Sequence, residues 1–256
     1  MGVLDQFSLA GRTALVTGGG TGIGKGLAIG FAEAGADVVV CGRTQATLDA
    51  TATAIEATGQ RALALTADVT KADEVNSLMD RIVDAWGRLD IACNNAGVNN
   101  WVEAAEMSEE DWDWIYDTNV KGAFLCSQAE ARIMIAAGRG SIINLASISA
   151  VITNRPQPQS HYNSSKAALV QLSKSLAAEW APRGVRVNSL SPGYTRTEMA
   201  DAPRTREAQP IWNRDTPLGR MAEVEELQGA AVFLASDASS YVTGHDLIVD
   251  GGFTVW

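Results

Sequence analysis

Short apolar runs alternate with longer segments of helical period along almost the whole chain. Apolar runs bounded by turn residues are typical of strands buried on both faces, as in parallel sheets that helices cover. Repeated strand–helix–strand units imply right-handed crossovers. We therefore predict an α/β fold with a doubly wound parallel sheet and helices on both faces. The predicted strands are 13–18, 37–42, 61–69, 89–97, 141–147, 185–193 and 245–252, and the predicted helices are 24–34, 48–58, 73–86, 109–137, 164–180 and 224–236.

The 256-residue chain contains no fixed-period repeat, low-complexity tract or Pro/Ser-rich linker, so we predict a single domain over residues 1–256. The least regular stretch, 197–219, carries three prolines and mixed charges. We interpret this stretch as a flap inserted over a substrate site.

Composition and charge exclude several classes of function. Thirty acidic residues against twenty basic ones give a net charge of −10, and Lys and Arg form no run. This argues against a nucleic-acid or membrane surface. The first residues lack a basic region followed by an apolar one, and no uncharged apolar stretch reaches bilayer length, so we predict a cytoplasmic protein. Cys41, Cys93 and Cys126 lie far apart without metal-ligand spacing, which predicts buried thiols and no metal.

A glycine-rich loop, TGGGTGIG at 17–24, joins the first predicted strand to the first predicted helix. Glycines there allow a tight turn and a close approach of the backbone to a pyrophosphate, which the helix N-terminus favours electrostatically. The spacing is T-G-x-x-x-G-x-G and not G-x-G-x-x-G. Its position after the first strand predicts a dinucleotide site on a Rossmann-type sheet.

Tyr162 lies four residues before Lys166 at the start of a predicted helix, so their side chains share one helical face. One interpretation is an exposed tyrosine on an ordinary surface helix. The other is an acid–base pair, in which the ammonium group lowers the pKa of the phenol.

With these two stretches in order, the chain resembles the short-chain dehydrogenase/reductase family over almost its whole length. Further stretches that carry the resemblance are NNAG at 94–97, TNVKG around Asn119, NLAS ending at Ser147, SPGYTRT at 191–197 and the final DGGF. The resemblance implies hydride transfer between a nicotinamide and a carbonyl or carbinol carbon. It favours the acid–base interpretation of Tyr162 and Lys166.

The resemblance also implies a catalytic set of Asn119, Ser147, Tyr162 and Lys166. Tyr162 would exchange a proton with the substrate oxygen, Ser147 would hydrogen-bond that oxygen, and Asn119 would position a water next to Lys166. Ser149 is a rival of Ser147, because Ser147 lies fifteen residues before Tyr162, further than is common. The expected cofactor contacts are Gly18, Thr21, Gly22, Ile23, Gly24, Arg43, Thr44, Asp68, Val69, Asn95, Ala96, Gly97, Tyr162, Lys166, Pro192, Gly193, Thr195 and Thr197.

Arg43 and Thr44 follow the second predicted strand, where NAD-preferring folds place an acidic residue. Because arginine suits a 2′-phosphate, we predict NADP(H). If Arg43 only stacks on the adenine, NAD(H) would also be accepted.

The predicted substrate is a polyol or ketose, because NRPQPQSHYNSSKAA and the ending resemble the sugar-alcohol and ketose reductases of the family, such as mannitol- and sorbose-type enzymes. Loop amides could bind several hydroxyls, and they are Asn99, Asn100, Asn154, Gln157 and Gln159. Trp101 and Trp212 are candidate cleft walls, and His161 is either a substrate contact or an exposed histidine. The alternatives are a 3-oxoacyl thioester or another small ketone, or a silent dinucleotide-sensing regulatory protein. The resemblance further implies a homotetramer that uses 109–137 and the C-terminal segment.

Overall fold

The computed structural model describes residues 2–198, 200 and 203–256. In this part of the chain, seven parallel strands form one sheet in the order β3-β2-β1-β4-β5-β6-β7. The strands are β1 (Thr13–Thr17), β2 (Asp37–Gly42), β3 (Ala62–Thr66), β4 (Ile91–Asn94), β5 (Gly140–Leu145), β6 (Val185–Pro192) and β7 (Asp246–Val249). The predicted fold class is confirmed.

Helices cover both faces of this sheet. They are α1 (Gly22–Glu33), α2 (Gln45–Glu56), α3 (Ala72–Trp86), α4 (Glu109–Tyr116), α5 (Ala123–Ala137), α6 (Ser160–Trp180), α7 (Pro203–Asp215) and α8 (Glu225–Ala235). Residues of α1, α2 and α8 pack in one core with Ala14 and Val16 of β1, while residues of α3, α5 and α6 pack in the other with Leu15. Successive β1 side chains thus enter opposite cores, as the strand period of two requires.

The three cysteines are free and buried, as predicted. No helix in the described ranges is long and apolar enough to cross a bilayer.

The strand order reverses at β1, which has β2 on one side and β4 on the other. In doubly wound sheets the loops diverge at such a point and leave a crevice beyond the carboxyl ends of the strands. Strands β3 and β4 end at Thr66 and Asn94, earlier than predicted, because the chain leaves the sheet to form these crevice loops.

The predicted helix 109–137 is interrupted, because a π-helical turn at Asp117–Gly122 separates α4 from α5. The predicted flap also differs from the irregular segment that its composition suggested. Residues 199, 201 and 202 of the flap lie outside the described residues, but most of its remainder forms α7, with Pro210 inside the helix.

Candidate active site

A cleft of about 750 Å³ opens beyond the carboxyl ends of the central strands. The predicted cofactor residues that line it are Gly18, Thr21, Gly22, Ile23, Gly24, Arg43, Thr44, Asp68, Val69, Asn95, Ala96, Gly97, Tyr162, Lys166, Pro192, Gly193 and Thr197. Thr195 is instead buried, and its Oγ1 donates a hydrogen bond to the Gly193 carbonyl at 3.1 Å.

The glycine loop is tied to the end of β4 by Asn95. The Asn95 amide donates to the Thr17 carbonyl at 2.9 Å and to the Gly18 carbonyl at 3.1 Å. Gly18 has φ of 63°, and a Cβ there would lie 2.7 Å from Asn95 Nδ2, so a larger residue would force the loop outward. Thr21, at the start of α1, makes no side-chain hydrogen bond to the helix. The first backbone N–H groups of α1 are therefore free to meet a phosphate in the cleft, and the loop fits a dinucleotide.

At the outer end of the cleft, the pKa of Asp68 is lowered, chiefly because its Oδ1 accepts a hydrogen bond from the Thr70 backbone N–H at 3.0 Å. The charge of Arg43, which is exposed, also lowers this pKa. Among the described residues, no carboxylate lies within ion-pair distance of Arg43. Its guanidinium is thus available to an anionic group of a ligand.

Tyr162 and Lys166 both lie on α6, which begins at Ser160, four residues earlier than predicted. One helical turn separates them, and Lys166 Nζ lies 5.6 Å from the centre of the tyrosine ring. Lys166 is only 4% exposed, and its Nζ donates to the Leu145 carbonyl at 2.7 Å. Burial lowers the pKa of Lys166 to about 8.

The pKa of Tyr162 is raised to about 12, chiefly by burial. A hydrogen bond from Ser147 lowers it, while the nearby Tyr194 raises it. The pKa of this phenol is therefore raised on balance in the protein by itself, and the lowering expected from Lys166 stays a prediction. Burial dominates because a phenolate loses its hydration there.

The two candidate serines occupy different positions. Ser147 lines the cleft, and its Oγ accepts a hydrogen bond from the Ser149 backbone N–H at 3.1 Å. Ser149 is buried, and its hydroxyl donates to Asn154 Oδ1 at 2.7 Å. Ser147 therefore faces the cleft, while Ser149 stands behind it.

Asn119 lies within the π-helical turn and is buried. Its Oδ1 accepts from the Val98 backbone N–H at 2.8 Å, and its Nδ2 donates to the Val98 carbonyl at 3.0 Å. A Cβ on Gly97 would lie 3.2 Å from Asn119 Oδ1 and 3.6 Å from Lys166 Nζ, so the three residues are neighbours. Asn119 is thus brought beside Lys166, but its side chain holds the loop after β4. A π-helical turn at such a place is a frequent feature of functional sites.

His161 is fully buried, so the alternative of an exposed histidine is wrong. Its Nε2 lies 2.6 Å from Asn100 Oδ1, and the Asn100 amide donates to Asp111 Oδ1 at 2.7 Å. Burial lowers the pKa of His161, while the charge of Asp111 opposes this effect. His161 thus joins α6 to α4 through Asn100.

Most of the loop amides expected to meet substrate hydroxyls are paired with one another. Asn154, Gln157 and Gln159 are buried, and Gln159 Nε2 donates to Asn154 Oδ1 at 3.1 Å. Asn99 lines the cleft, and its Nδ2 donates to Gln159 Oε1 at 3.0 Å. The Oδ1 of Asn99 is buried and finds no partner among the described residues.

Trp101 and Trp212 pack edge to face with ring centres 6.3 Å apart. Trp212 is buried in a small cluster with Ala200, Ala208 and Met221. The two tryptophans therefore belong to a small core that includes residues of α7, and neither is among the residues that line the cleft.

Sequence reasoning missed part of the lining, which also includes Gly20, Gly42, Thr47, Leu48, Ala67, Thr70, Val98, Trp114, Asp117, Thr118, Leu145, Ala146 and Glu198. Gly20, Thr118 and Ala146 lie within the recognised stretches, and Val98 and Glu198 adjoin them, so their position was a usable signal. Trp114 comes from α4, and no local pattern brings this residue to the cleft.

Residues 18–254 match a family model described as enoyl-(acyl carrier protein) reductase. The chain is 43% identical over 258 residues to a galactitol 2-dehydrogenase of Rhizobium johnstonii, covering 100% of both. It is 46% identical to a short-chain type dehydrogenase/reductase from Mycobacterium marinum, with a TM-score of 0.96 and 99% of each chain covered. A gluconate 5-dehydrogenase from Burkholderia cenocepacia J2315, in complex with NADP and tartrate, is 37% identical with a TM-score of 0.93 and 100% of each chain covered.

These similarities extend over whole chains and agree with the ordered stretches that first suggested the resemblance. The chain belongs to the short-chain dehydrogenase/reductase family and is an NAD(P)-dependent oxidoreductase.

Proposed function

We propose that this protein is an NADP(H)-dependent oxidoreductase that interconverts a ketone and a secondary alcohol on a neutral polyol or ketose. The observation that carries the proposal is one continuous cleft that joins the glycine loop to Ser147, Tyr162 and Lys166. The galactitol dehydrogenase and the NADP-bound gluconate dehydrogenase support it as similar proteins.

In this proposal, the bound nicotinamide supplies or accepts the hydride. Tyr162 gives its phenolic proton to the ketone oxygen in reduction and takes the proton back in oxidation. Ser147 hydrogen-bonds the same oxygen. Lys166 offers positive charge near the phenolate and a donor for the cofactor ribose, while Asn119 holds the neighbouring loop and a water beside Lys166. Residues 197–219 form the substrate flap, since Thr197 and Glu198 line the cleft.

The charges of the cleft favour a neutral substrate over a sugar acid. Among its described lining residues, the cations are Arg43 and Lys166. Arg43 lies at the end that holds Asp68, and Lys166 is buried against the Leu145 carbonyl. A substrate carboxylate would therefore lose hydration without gaining a matched cation, which is unfavourable.

NADPH oxidation with a panel of ketohexoses, 5-ketogluconate and acetoacetyl thioesters tests the proposal. We expect a ketohexose to give the highest kcat/KM. A preference for the thioester, which is closer to the description of the matching family model, would reject the substrate class. Tight NADPH binding without turnover of any compound would favour the regulatory alternative.

Arg43→Ala should raise the KM for NADPH about ten- to a hundredfold and leave the KM for NADH nearly unchanged. The reason is that a charge-assisted hydrogen bond to a phosphate contributes roughly 1.5–3 kcal/mol. Steady-state kinetics with both cofactors at one ionic strength measure the effect. Lys71→Ala is the matched control, because Lys71 is exposed and its charge also acts on Asp68, but it does not line the cleft. An equal loss for both cofactors in Arg43→Ala would indicate stacking on adenine and reject the NADP preference.

Ser147→Ala should lower kcat by about 10²–10³, the usual cost of removing a donor to the reacting oxygen. Ser149→Ala should cost less, about tenfold, because Ser149 only supports Ser147 from behind. Assaying both variants with the same ketose measures the difference. A larger loss in Ser149→Ala would reverse the assignment.

The assembly we propose is a homotetramer in the cytoplasm. Trp112 and Trp114 on α4 are 41% and 42% exposed, and Trp256 at the C-terminus is 79% exposed. Exposed aromatic side chains at these places are consistent with subunit contacts, and free buried thiols are consistent with a reducing compartment. Light scattering that gives a monomer at micromolar concentration would contradict the homotetramer. Cell fractionation that places the protein outside the cytoplasm would contradict the proposed location.

A further inference from the structure

Tyr194 follows β6 and is fixed on two sides by aromatic rings. Its ring stacks on Trp212 with centres 4.2 Å apart, and Phe253 contacts it edge-on at 5.2 Å. Its hydroxyl oxygen accepts hydrogen bonds from Asn154 Nδ2 at 3.0 Å and Gln157 Nε2 at 3.1 Å. The phenol is therefore held in one orientation beside the flap.

The donors to this oxygen are set by the groups around them. An indole N–H can only donate, so Gln157 must turn its oxygen to Trp212 Nε1, which lies 3.2 Å away. The nitrogen of Gln157 then faces Tyr194. In the same way, Asn154 Oδ1 accepts from the Ser149 hydroxyl and from Gln159, which leaves Asn154 Nδ2 for Tyr194.

The proton of the Tyr194 hydroxyl consequently has no acceptor among the described residues. A phenolic oxygen accepts at most two hydrogen bonds, and both of these are made. None of the described residues accepts the remaining proton. A donor left without an acceptor is unfavourable once water is excluded, so this group is suited to donate to a ligand.

The Tyr194 hydroxyl is also linked to the cleft, which Tyr194 itself does not line but which the preceding residue, Gly193, does. Asn154 connects it to Ser149, whose Oγ lies 3.1 Å from Ser147 Oγ. The effect of Tyr194 on the pKa of Tyr162 agrees with proximity of the two phenols. The free proton is thus three hydrogen bonds from Ser147 along a buried network.

We propose that Tyr194 donates a hydrogen bond to a substrate hydroxyl beyond the reacting carbon, and so selects polyhydroxylated ketones over ketones that lack that hydroxyl. This inference rests on the proposed function. A site built to bind a hydroxyl discriminates against an analogue without it, because its own polar group is then left unpaired. The stacked ring loses little freedom when it binds, which strengthens the selection.

The test compares kcat/KM for two six-carbon ketones, 2-hexanone and whichever of D-fructose, L-sorbose and D-tagatose wild type reduces fastest with NADPH. In Tyr194→Phe we expect the ketohexose-to-hexanone ratio to fall about tenfold. Trp212→Phe is the matched control, because it removes the indole N–H bond of the same network and keeps the stacked ring and the phenol. It should change both substrates by the same factor.

An equal loss for both ketones in Tyr194→Phe would show that the phenol only holds the flap, and would overturn the inference. Wild type that reduces 2-hexanone but no ketohexose would overturn the proposed function, and this inference with it. Single-deoxy ketohexoses provide a test on wild type that needs no folded variant. Removal of one particular hydroxyl should lower kcat/KM about tenfold. If no single-deoxy ketohexose shows such a loss, the inference is overturned.

Discussion

Replacing Tyr162 with phenylalanine is expected to lower kcat by about 10²–10⁴, the usual contribution of a positioned general acid. The change removes one oxygen and keeps the ring on α6, so the neighbouring Lys166 keeps its bond to the Leu145 carbonyl. Because the phenol has a raised pKa of about 12, it is fully protonated at neutral pH and ready to donate in the reductive direction. The measurement is NADPH-dependent reduction of the preferred ketose at saturating cofactor.

The appropriate control is Tyr241→Phe, since Tyr241 is fully exposed. A fluorescence titration of Tyr162→Phe with NADPH measures cofactor binding and so separates lost chemistry from lost binding. If Tyr162→Phe retains more than about a tenth of the wild-type kcat, a contribution of the size assigned to a general acid is absent, and the catalytic assignment is wrong.

Glu130→Gln is expected to change how stability depends on pH. Glu130 is fully buried on α5, and Asn94 Nδ2 donates to its Oε2 at 3.1 Å. Its Oε1 is without a partner among the described residues. Burial raises the pKa of this carboxyl to about 8, and the Asn94 hydrogen bond opposes the rise.

The direction in which the free energy of unfolding changes with pH follows from proton binding. Below the unfolded pKa of 4.5 both states of the protein carry this proton. Between 4.5 and about 8 the unfolded chain releases the proton while the folded protein keeps it, so the free energy of unfolding falls as pH rises. The total loss is roughly 5 kcal/mol when the whole interval is crossed.

Glutamine keeps the shape and stays neutral, so Glu130→Gln should remove this decline. Urea unfolding at several pH values from 5 to 8 measures it. The variant should be increasingly more stable than wild type as pH rises, whereas Glu56→Gln, at an exposed position of α2, should follow wild type. Parallel pH profiles for wild type and Glu130→Gln would show that Glu130 does not keep its proton in the folded protein.

Local chemistry explains the features that could be predicted from sequence. Apolar runs located the seven strands to within a few residues, because burial on both faces demands continuous hydrophobic residues. The glycine loop at 17–24 and the four-residue spacing of Tyr162 and Lys166 act over one turn of chain, so position in sequence determines their geometry. Ser147 could be preferred over Ser149 because it directly follows a strand, and the structure places Ser147 on the cleft.

Other features depend on partners that are distant in sequence. Asn119 lies in a π-helical turn while it bonds the backbone of Val98 across 21 residues, and the sequence pattern predicted one uninterrupted helix there. His161 is buried, and its imidazole forms a hydrogen bond with Asn100, which lies 61 residues away in the sequence. Nothing adjacent to either residue signals these contacts.

The sequence by itself determined the order of the strands, the dinucleotide loop and the Tyr162–Lys166 pair, since each depends on residues within a few positions of one another. Only the tertiary structure decided which polar groups remain available to a ligand. Asn154, Gln157 and Tyr194 can all form hydrogen bonds. In the part of the chain that the structure describes, both amides are bonded to other side chains, whereas the phenolic proton of Tyr194 has no acceptor. The reason is physical: hydrogen bonds saturate, and saturation depends on every neighbour that folding brings within reach.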